Sequence, residues 1–196
     1  IGDREYKTNE IQEYLGLCSK NDPRGNTNFT TSQNKKFFMP LKDCEFSLNS
    51  FLDELQPDTF PRNQGERKAN CAGLAIEVAT TLLMTLCNGE PGRIFTFLGG
   101  PPNIGLGKVV GVKLSETIRN FVDFSKGNSN TNYFKPAVDF YEGVASKAAR
   151  NGHSIDIFSC CLNQTGLLEM KVLAEKTGGI MVLTDSFSTM VFKESY

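Results

Sequence analysis

The chain has 196 residues, of which 39% are hydrophobic and 22% are charged, as expected for one globular domain or a large part of one. Lys and Arg number 21 and Asp and Glu number 22, so the formal net charge is −1. This balance gives no electrostatic argument for binding nucleic acid, and the sequence has no run of ~18 apolar residues that would predict a membrane-spanning helix.

The N-terminal third of the chain predicts two helices separated by a polar loop. Residues 8–17 carry apolar side chains at helical spacing, with Thr8 placed to cap the helix. Residues 18–36 are rich in Asn, Thr and Ser, which predicts a flexible loop. A second helix is expected at residues 47–55, where apolar residues recur at helical spacing: Leu48, Phe51, Leu52 and Leu55.

The rest of the chain alternates predicted helices with apolar runs that are typical of strands. Residues 70–87 are apolar nearly all round, which predicts the most buried helix of the fold. The predicted strands are residues 93–98, 154–160 and 180–183. The other predicted helices are residues 133–150, with Tyr141, Val144, Ala145 and Ala148 on one stripe, residues 165–176, capped by Thr165, and Ser186 to the end, with Phe187, Met190 and Val191 inward.

This alternation predicts an α/β fold of the doubly wound class. Strands separated by helices of this length form a parallel sheet with right-handed crossovers. Three strands are few for this number of helices, which indicates that the chain is part of a larger domain.

A glycine- and proline-rich loop, GGPPNIGLGK at residues 99–108, follows the first predicted strand. Its position suits a phosphate-binding loop, but its pattern does not, because Val109 follows Gly107-Lys108 where a Walker loop has Ser or Thr. Pro101 and Pro102 also lack the backbone donors that a phosphate cradle uses. A shaped connecting loop is the better interpretation.

His153 is the only histidine, so a nucleophilic triad would have to use it, with Ser154, Asp156 or Cys160. His153 and Asp156 are three residues apart on a predicted strand and so point to different faces. A polar residue at a strand entry is therefore the preferred interpretation. We also interpret Glu169 and Glu175, six residues apart on a predicted helix, as solvated.

The six cysteines form no Cys-x-x-Cys pair, which disfavours a structural zinc site. Cys71 and Cys87 lie in an apolar helical run, and Cys160 and Cys161 end an apolar strand-like run, which favours buried, reduced thiols over disulfides. The cysteines are Cys18, Cys44, Cys71, Cys87, Cys160 and Cys161.

Resemblance to a known family is carried by the stretches RIFTFLGGPPNIGLGKVVGVKLSETIR, NGHSIDIFSCCLNQTGLLEMK and TGGIMVLTDSFSTMVFKESY. They resemble the trunk domain of the Sec-twenty-three family, the GTPase-activating subunits of the COPII inner coat. The first half agrees, and residues 18–36 are the least alike.

The resemblance implies a von Willebrand factor A-like trunk, of which residues 1–196 are one part containing only the later strands. The family's zinc finger is expected outside this chain, so no cofactor is expected in it. The resemblance also implies a structural role in ER-to-Golgi transport, through contact with the cargo-adaptor subunit and a Sar-type small GTPase. The outer coat would be met indirectly and the ER membrane only peripherally, from the cytoplasmic side. The arginine that activates GTP hydrolysis is expected in a helical domain outside the chain, so no enzymatic activity is expected.

Two alternatives remain. A metal-dependent adhesion-type von Willebrand factor A domain would need a carboxylate after the fourth strand, where this chain has Gly99-Gly100, and residues 69–73 offer no Thr ligand. A nucleotide-binding or hydrolytic enzyme would need a phosphate loop or a nucleophile beside a base. On the preferred interpretation there are no catalytic, cofactor or metal residues, and Phe187 and Phe192 of the last helix are predicted to contact a partner.

Overall fold

The structure is a computed structural model that describes residues 6–17, 37–57, 59–87, 90–127 and 131–195. The predicted loop at residues 18–36 lies outside the described residues. The chain divides into two compact units, one formed by Ile1–Thr8 with Arg62–Tyr196 and the other by Asn9–Pro61.

Strands β1 (Arg93–Leu98), β2 (Ser154–Cys160) and β3 (Met181–Thr184) form a parallel sheet in the order β1-β2-β3. The first two strands have the predicted bounds, and the third begins one residue later than predicted. The described helices are α1 (Thr8–Tyr14), α2 (Leu41–Asp53), α3 (Ala72–Leu86), α4 (Phe121–Lys126), α5 (Phe134–Arg150), α6 (Leu167–Thr177) and α7 (Met190–Ser195). This confirms a mixed α/β fold with helices flanking a small parallel sheet.

Helices α3, α5 and α6 contribute most of the core that packs on the sheet. Ile155 and Ile157 of β2 are fully buried in this core, together with the predicted stripe of α5: Tyr141, Val144, Ala145 and Ala148. Every residue of β2 except Ser154 is buried, as expected for a parallel strand with a neighbour on each side.

The helix predicted at residues 70–87 is not the most buried element. In α3, Leu82 and Met84 are only half-buried, whereas β2 is buried almost throughout. An apolar composition shows that a helix can be buried on all sides, but the central strand of the sheet has the larger enclosed fraction.

Helix α2 begins at Leu41, six residues before the predicted start, and none of its residues is buried. The stripe expected to face a core is exposed: Leu48, Phe51 and Leu52, with Leu55 beyond the helix end. In the same unit Ile11 and Leu17 are buried.

The predicted cap of α6 is wrong. Gly166 occupies the N-cap position, and no side chain caps the helix. Thr165 is buried and its hydroxyl shares a hydrogen bond with the Ser159 hydroxyl (2.7 Å), because it lies beside the end of β2 rather than over the helix.

The described cysteines are all free, but only Cys160 is buried. Cys44, Cys71, Cys87 and Cys161 are half-buried, so the prediction of buried thiols holds only for Cys160. Burial, reinforced by the charge of Glu90, raises the pKa of the Cys87 thiol.

Among the described residues, no helix combines the length and the apolar character needed to cross a bilayer.

Candidate functional site

A crevice of about 1030 Å³ lies at the carboxyl ends of β1 and β2, the edge at which open α/β sheets bind ligands. Five parts of the chain line it: the loop after β1, the loop after β2, the start of α3, the segment before α3 and the residues that precede α4. We refer to this space as the crevice. The topology of the sheet, rather than a local motif, builds it.

Two asparagines hold one side of the crevice together. The side chain of Asn103 accepts a hydrogen bond from the Asn70 amide (2.8 Å) and donates one to the Lys68 carbonyl (2.8 Å). The Asn70 side chain donates to the Gly100 carbonyl (3.1 Å) and accepts from the Ala72 amide at the start of α3 (3.0 Å). The segment before α3 is thereby fixed to the loop after β1.

Arg67 fixes the same segment to the residues that precede α4. Its Nη1 donates to the carbonyls of Gly111 (3.2 Å) and Lys113, and its Nη2 donates to the Glu116 carbonyl (2.5 Å). A guanidinium has five donors in a planar fork, so one side chain can hold three carbonyls of an irregular segment. All three acceptors are backbone carbonyls, so these contacts hold Arg67 without a salt bridge.

The polar lining of the crevice is cationic. Arg62, Arg67 and Lys68 contribute to it, and no Asp or Glu does so among the described lining residues. The first turn of α3 also lacks an acidic residue. The charged residues among the described lining residues are therefore all basic.

The loop at residues 99–108 is held by internal hydrogen bonds, as a shaped connecting loop would be. The Val109 amide donates to the Pro102 carbonyl (2.9 Å), and the Tyr141 hydroxyl donates to the Gly107 carbonyl (2.8 Å). Burial and the charge of Glu169 raise the pKa of Tyr141, so its hydroxyl stays protonated and able to donate. The next helix, α4, begins only at Phe121.

The residues considered for a nucleophilic triad do not form one. His153 is buried, and neither of its ring nitrogens has a hydrogen-bond partner within the described part of the chain. The carboxylate of Asp156 instead pairs with Arg93 (2.5 and 3.0 Å) and accepts from the Ile180 amide (2.8 Å). Cys160, at the other end of β2, accepts a hydrogen bond from the Thr184 hydroxyl (3.1 Å).

Asp156 is a structural carboxylate. Burial alone would raise its pKa, but the Arg93 and Ile180 hydrogen bonds and the positive charge of Arg93 together hold it below its usual value. The carboxylate therefore stays ionised and joins β1 to the start of β3.

Glu169 is not solvated, contrary to the sequence interpretation. It is buried and pairs with Arg119 through two hydrogen bonds of 2.8 and 2.5 Å. The Arg119 partner lies 50 positions earlier, so helical periodicity around Glu169 could not reveal it. Glu175 is exposed and lies 3.5 Å from Lys171, in agreement with its predicted solvation.

A family model described as the Sec23/Sec24 trunk domain matches residues 2–196. The chain belongs to this family. The match confirms the resemblance found in the sequence and implies a role in the COPII coat.

In this trunk domain the loop after β1 begins with Gly99 and Gly100, which have no side-chain oxygen to offer a metal ion. No group of three or more His, Cys, Asp or Glu side chains that could hold a metal occurs within the described ranges. The absence of a bound metal remains a prediction.

The predicted partner-contact residues of the trunk domain lie against one face of the sheet. Phe192 is half-buried, with its ring edge-on to Phe97 and Phe158 at centroid distances of 6.3 and 5.8 Å. Phe187 is 39% exposed and lies 6.0 Å from Phe97. Both rings thus pack on the sheet while part of Phe187 reaches solvent, and their role in partner binding remains a prediction.

The predicted orientation of Met190 and Val191 is wrong. They are 66% and 59% exposed, because α7 begins only at Met190 and turns Phe192 toward the sheet.

Proposed function

We propose that this chain is a structural, partner-binding part of the COPII inner coat, acting in ER-to-Golgi transport without catalytic activity of its own. The observation that carries the proposal is the trunk-domain match over residues 2–196. The family supports a location on the cytoplasmic side of the ER membrane and of COPII vesicles, with only peripheral membrane contact.

We further propose that the sheet is the later part of a von Willebrand factor A-like sheet. Three adjacent parallel strands in sequential order, with helices as crossovers, support this proposal. On this view the partners are the cargo-adaptor subunit and a Sar-type GTPase, and the outer coat is met indirectly.

The arginines of the chain support a non-catalytic role. A catalytic arginine must reach the transferring phosphoryl group of a bound GTPase. Arg67, Arg93 and Arg119 are each occupied by contacts within the chain. Arg62 and Arg150 are exposed and remain to be tested, and Arg4 and Arg24 lie outside the described residues.

Co-precipitation tests the structural role. The chain is immobilised and offered the purified cargo-adaptor subunit and the purified GTPase in separate experiments. We expect the adaptor to be retained. A Phe192→Ala variant tests the predicted contact, with Met190→Ala on the exposed side of α7 as the matched control. Retention of neither protein by the wild-type chain would contradict the proposal.

Single-turnover GTP hydrolysis tests the absence of catalysis. We expect the GTPase rate to be unchanged at saturating chain, because an inserted arginine raises such rates by about 10³–10⁵ and none is expected here. A rise of about tenfold or more that is abolished by Arg62→Ala or Arg150→Ala would overturn this view.

A further inference from the structure

Strand β3 is paired on one side only in the described part of the chain. The carbonyls of Ile180 and Thr184 accept hydrogen bonds from amides of β2 and of the residue that follows it (2.9 and 3.1 Å). Successive residues of a strand direct their N–H and C=O groups to opposite sides, so Met181 and Leu183 direct theirs to the free edge. This edge presents backbone donors and acceptors that an added strand can pair.

The side chains along β3 leave this edge open. Met181 and Leu183 are 43% and 63% exposed, and both are apolar. The strand has the sequence MVLT, which contains neither a charged residue nor a proline that would oppose pairing with a further strand.

A pocket of about 380 Å³, which we call the β3 pocket, lies beside the carboxyl end of this strand. Its apolar wall consists of three exposed leucines, Leu162, Leu168 and Leu183. The volume is within the range of ordinary ligand pockets. The β3 pocket therefore offers an apolar recess next to the free backbone groups of Leu183.

The loop after β2, which forms one side of the β3 pocket, is fixed at its buried end. The Thr165 hydroxyl shares a hydrogen bond with the Ser159 hydroxyl. Gly166, with a φ of +85°, packs so closely that an ideal Cβ on it would lie 2.5 Å from Cγ1 of Val109. Because this part of the wall is already ordered, a ligand meets a lower entropic cost on binding.

The accessible charge of the β3 pocket is negative. Asp185 is exposed at its rim. Arg119 is the other charged residue among the described lining residues, and it is buried and paired with Glu169. The β3 pocket therefore favours a ligand with a cationic group over one with a carboxylate.

From these observations we propose that β3 and its pocket bind an extended peptide segment that adds a strand to the sheet. The segment pairs with the backbone of Met181 and Leu183, inserts a leucine-like side chain into the β3 pocket, and pairs a Lys or Arg with Asp185. In this mode of recognition main-chain hydrogen bonds give affinity and alternate side chains give specificity. The site goes beyond the proposed function and is independent of it, because peptide binding can be measured without any coat protein.

Fluorescence anisotropy with the full 196-residue chain and a fluorescein-labelled peptide, Thr-Lys-Val-Leu-Val-Lys-Thr-amide, tests the site. A Lys on each side of the Leu can reach Asp185 whichever direction the added strand takes. We expect binding below about 1 mM. Binding should weaken when Glu replaces each Lys, and also when the nitrogens of the Leu and of the Val after it are methylated, because methylation removes backbone donors. Equal binding of the three peptides, or binding of none, would overturn the proposal.

Amide hydrogen exchange locates the bound peptide. We expect exchange at the Met181 and Leu183 amides to slow in the complex, because an added strand accepts hydrogen bonds from the free edge of β3. Protection confined to β1 would show that the peptide pairs with the opposite edge of the sheet, and it would refute the site on β3.

Asp185→Asn is the diagnostic variant, because Asp185 is exposed. We expect a two- to fivefold weaker affinity for the Lys-containing peptide, on the order of one exposed ion pair. Leu183→Thr should also weaken binding, because it removes part of the apolar wall and keeps a residue that suits a strand. Asp139→Asn, at an exposed position of α5, is the matched control and should bind as the wild type does. No effect of Asp185→Asn, or an equal effect of Asp139→Asn, would contradict the role of the β3 pocket.

Discussion

Arg119 and Glu169 form a bidentate ion pair that solvent hardly reaches. Their side chains are 9% and 0% exposed. The guanidinium also lies 5.4 and 5.2 Å from the ring centroids of Phe124 and Phe134. Removing a charge from water carries a large desolvation penalty unless the charge is paired. The attraction between Arg119 and Glu169 offsets this penalty for both side chains.

Removal of one member of the pair should therefore lower the free energy of unfolding more than removal of both members. We expect Arg119→Met to lower the free energy of unfolding by about 3–5 kcal/mol, because it leaves the Glu169 carboxylate buried and unpaired. The double variant Arg119→Met with Glu169→Leu should lose clearly less than the sum of the two single losses. Urea unfolding of the four proteins measures this coupling, and strictly additive losses would contradict it.

His153 should make stability depend on pH. Burial lowers its pKa, so below about pH 6.5 the unfolded chain binds a proton that the folded chain does not. The free energy of unfolding should consequently fall as pH drops from about 7 to 5. As the only histidine, His153 can be isolated by His153→Phe, which should flatten this slope in urea unfolding at both pH values. An unchanged slope would show that other groups cause it.

The entry to β3 depends on a glycine. A Cβ on Gly179 would overlap the Ile155 carbonyl oxygen and lie 3.0 Å from Oδ1 of Asp156. We expect Gly179→Ala to destabilise the fold by about 1–3 kcal/mol, because the backbones of β2 and of the turn cannot both stay in place. Gly100, after β1, has nothing within 4 Å of its ideal Cβ and serves as the control. Thermal unfolding of Gly100→Ala should match the wild type to within about 0.5 kcal/mol.

Sequence patterns predicted the positions of helices and strands better than they predicted which of their faces are buried. The bounds of β1 and β2 were right because apolar β-branched and aromatic runs between turn residues are local signals. The exposed stripe of α2 was expected to be buried, because spacing shows which residues share a helix face but not what packs on it. Helix α4 was missed although Asn120 and Asp123 form a capping box that the sequence displays.

The candidate site was less predictable than the sheet. The sequence located a loop after β1, but the Asn70–Asn103 hydrogen bonds join residues 33 positions apart. Arg67 and its carbonyl acceptors are separated by 44 to 49 positions. Such contacts follow from tertiary folding, so a single sequence carries no periodic signal for them.

Burial is distributed unevenly over the whole chain. Strand β2 and the inner stripe of α5 are enclosed, whereas no residue of α2 is buried. A helix of this length is only marginally stable in water without tertiary packing. Because α2 has little such packing, its backbone hydrogen bonds should open easily. We expect amide hydrogen exchange to be slowest in β2 and α5 and fastest, among these elements, in α2. Protection of α2 equal to that of β2 would contradict this ranking.

The order of the sheet has a consequence for the chain in concentrated solution. In the described part of the chain, β1 pairs with β2 on one side only, and Phe95 and Phe97 on this strand are about half exposed. Natural edge strands carry Lys, Pro or bulges that prevent pairing with strands of other molecules, whereas β1 carries only Arg93 as a charged residue. Copies of the isolated chain should therefore self-associate edge to edge as their concentration rises. A charge introduced at Phe95 should keep the chain monodisperse at such concentrations.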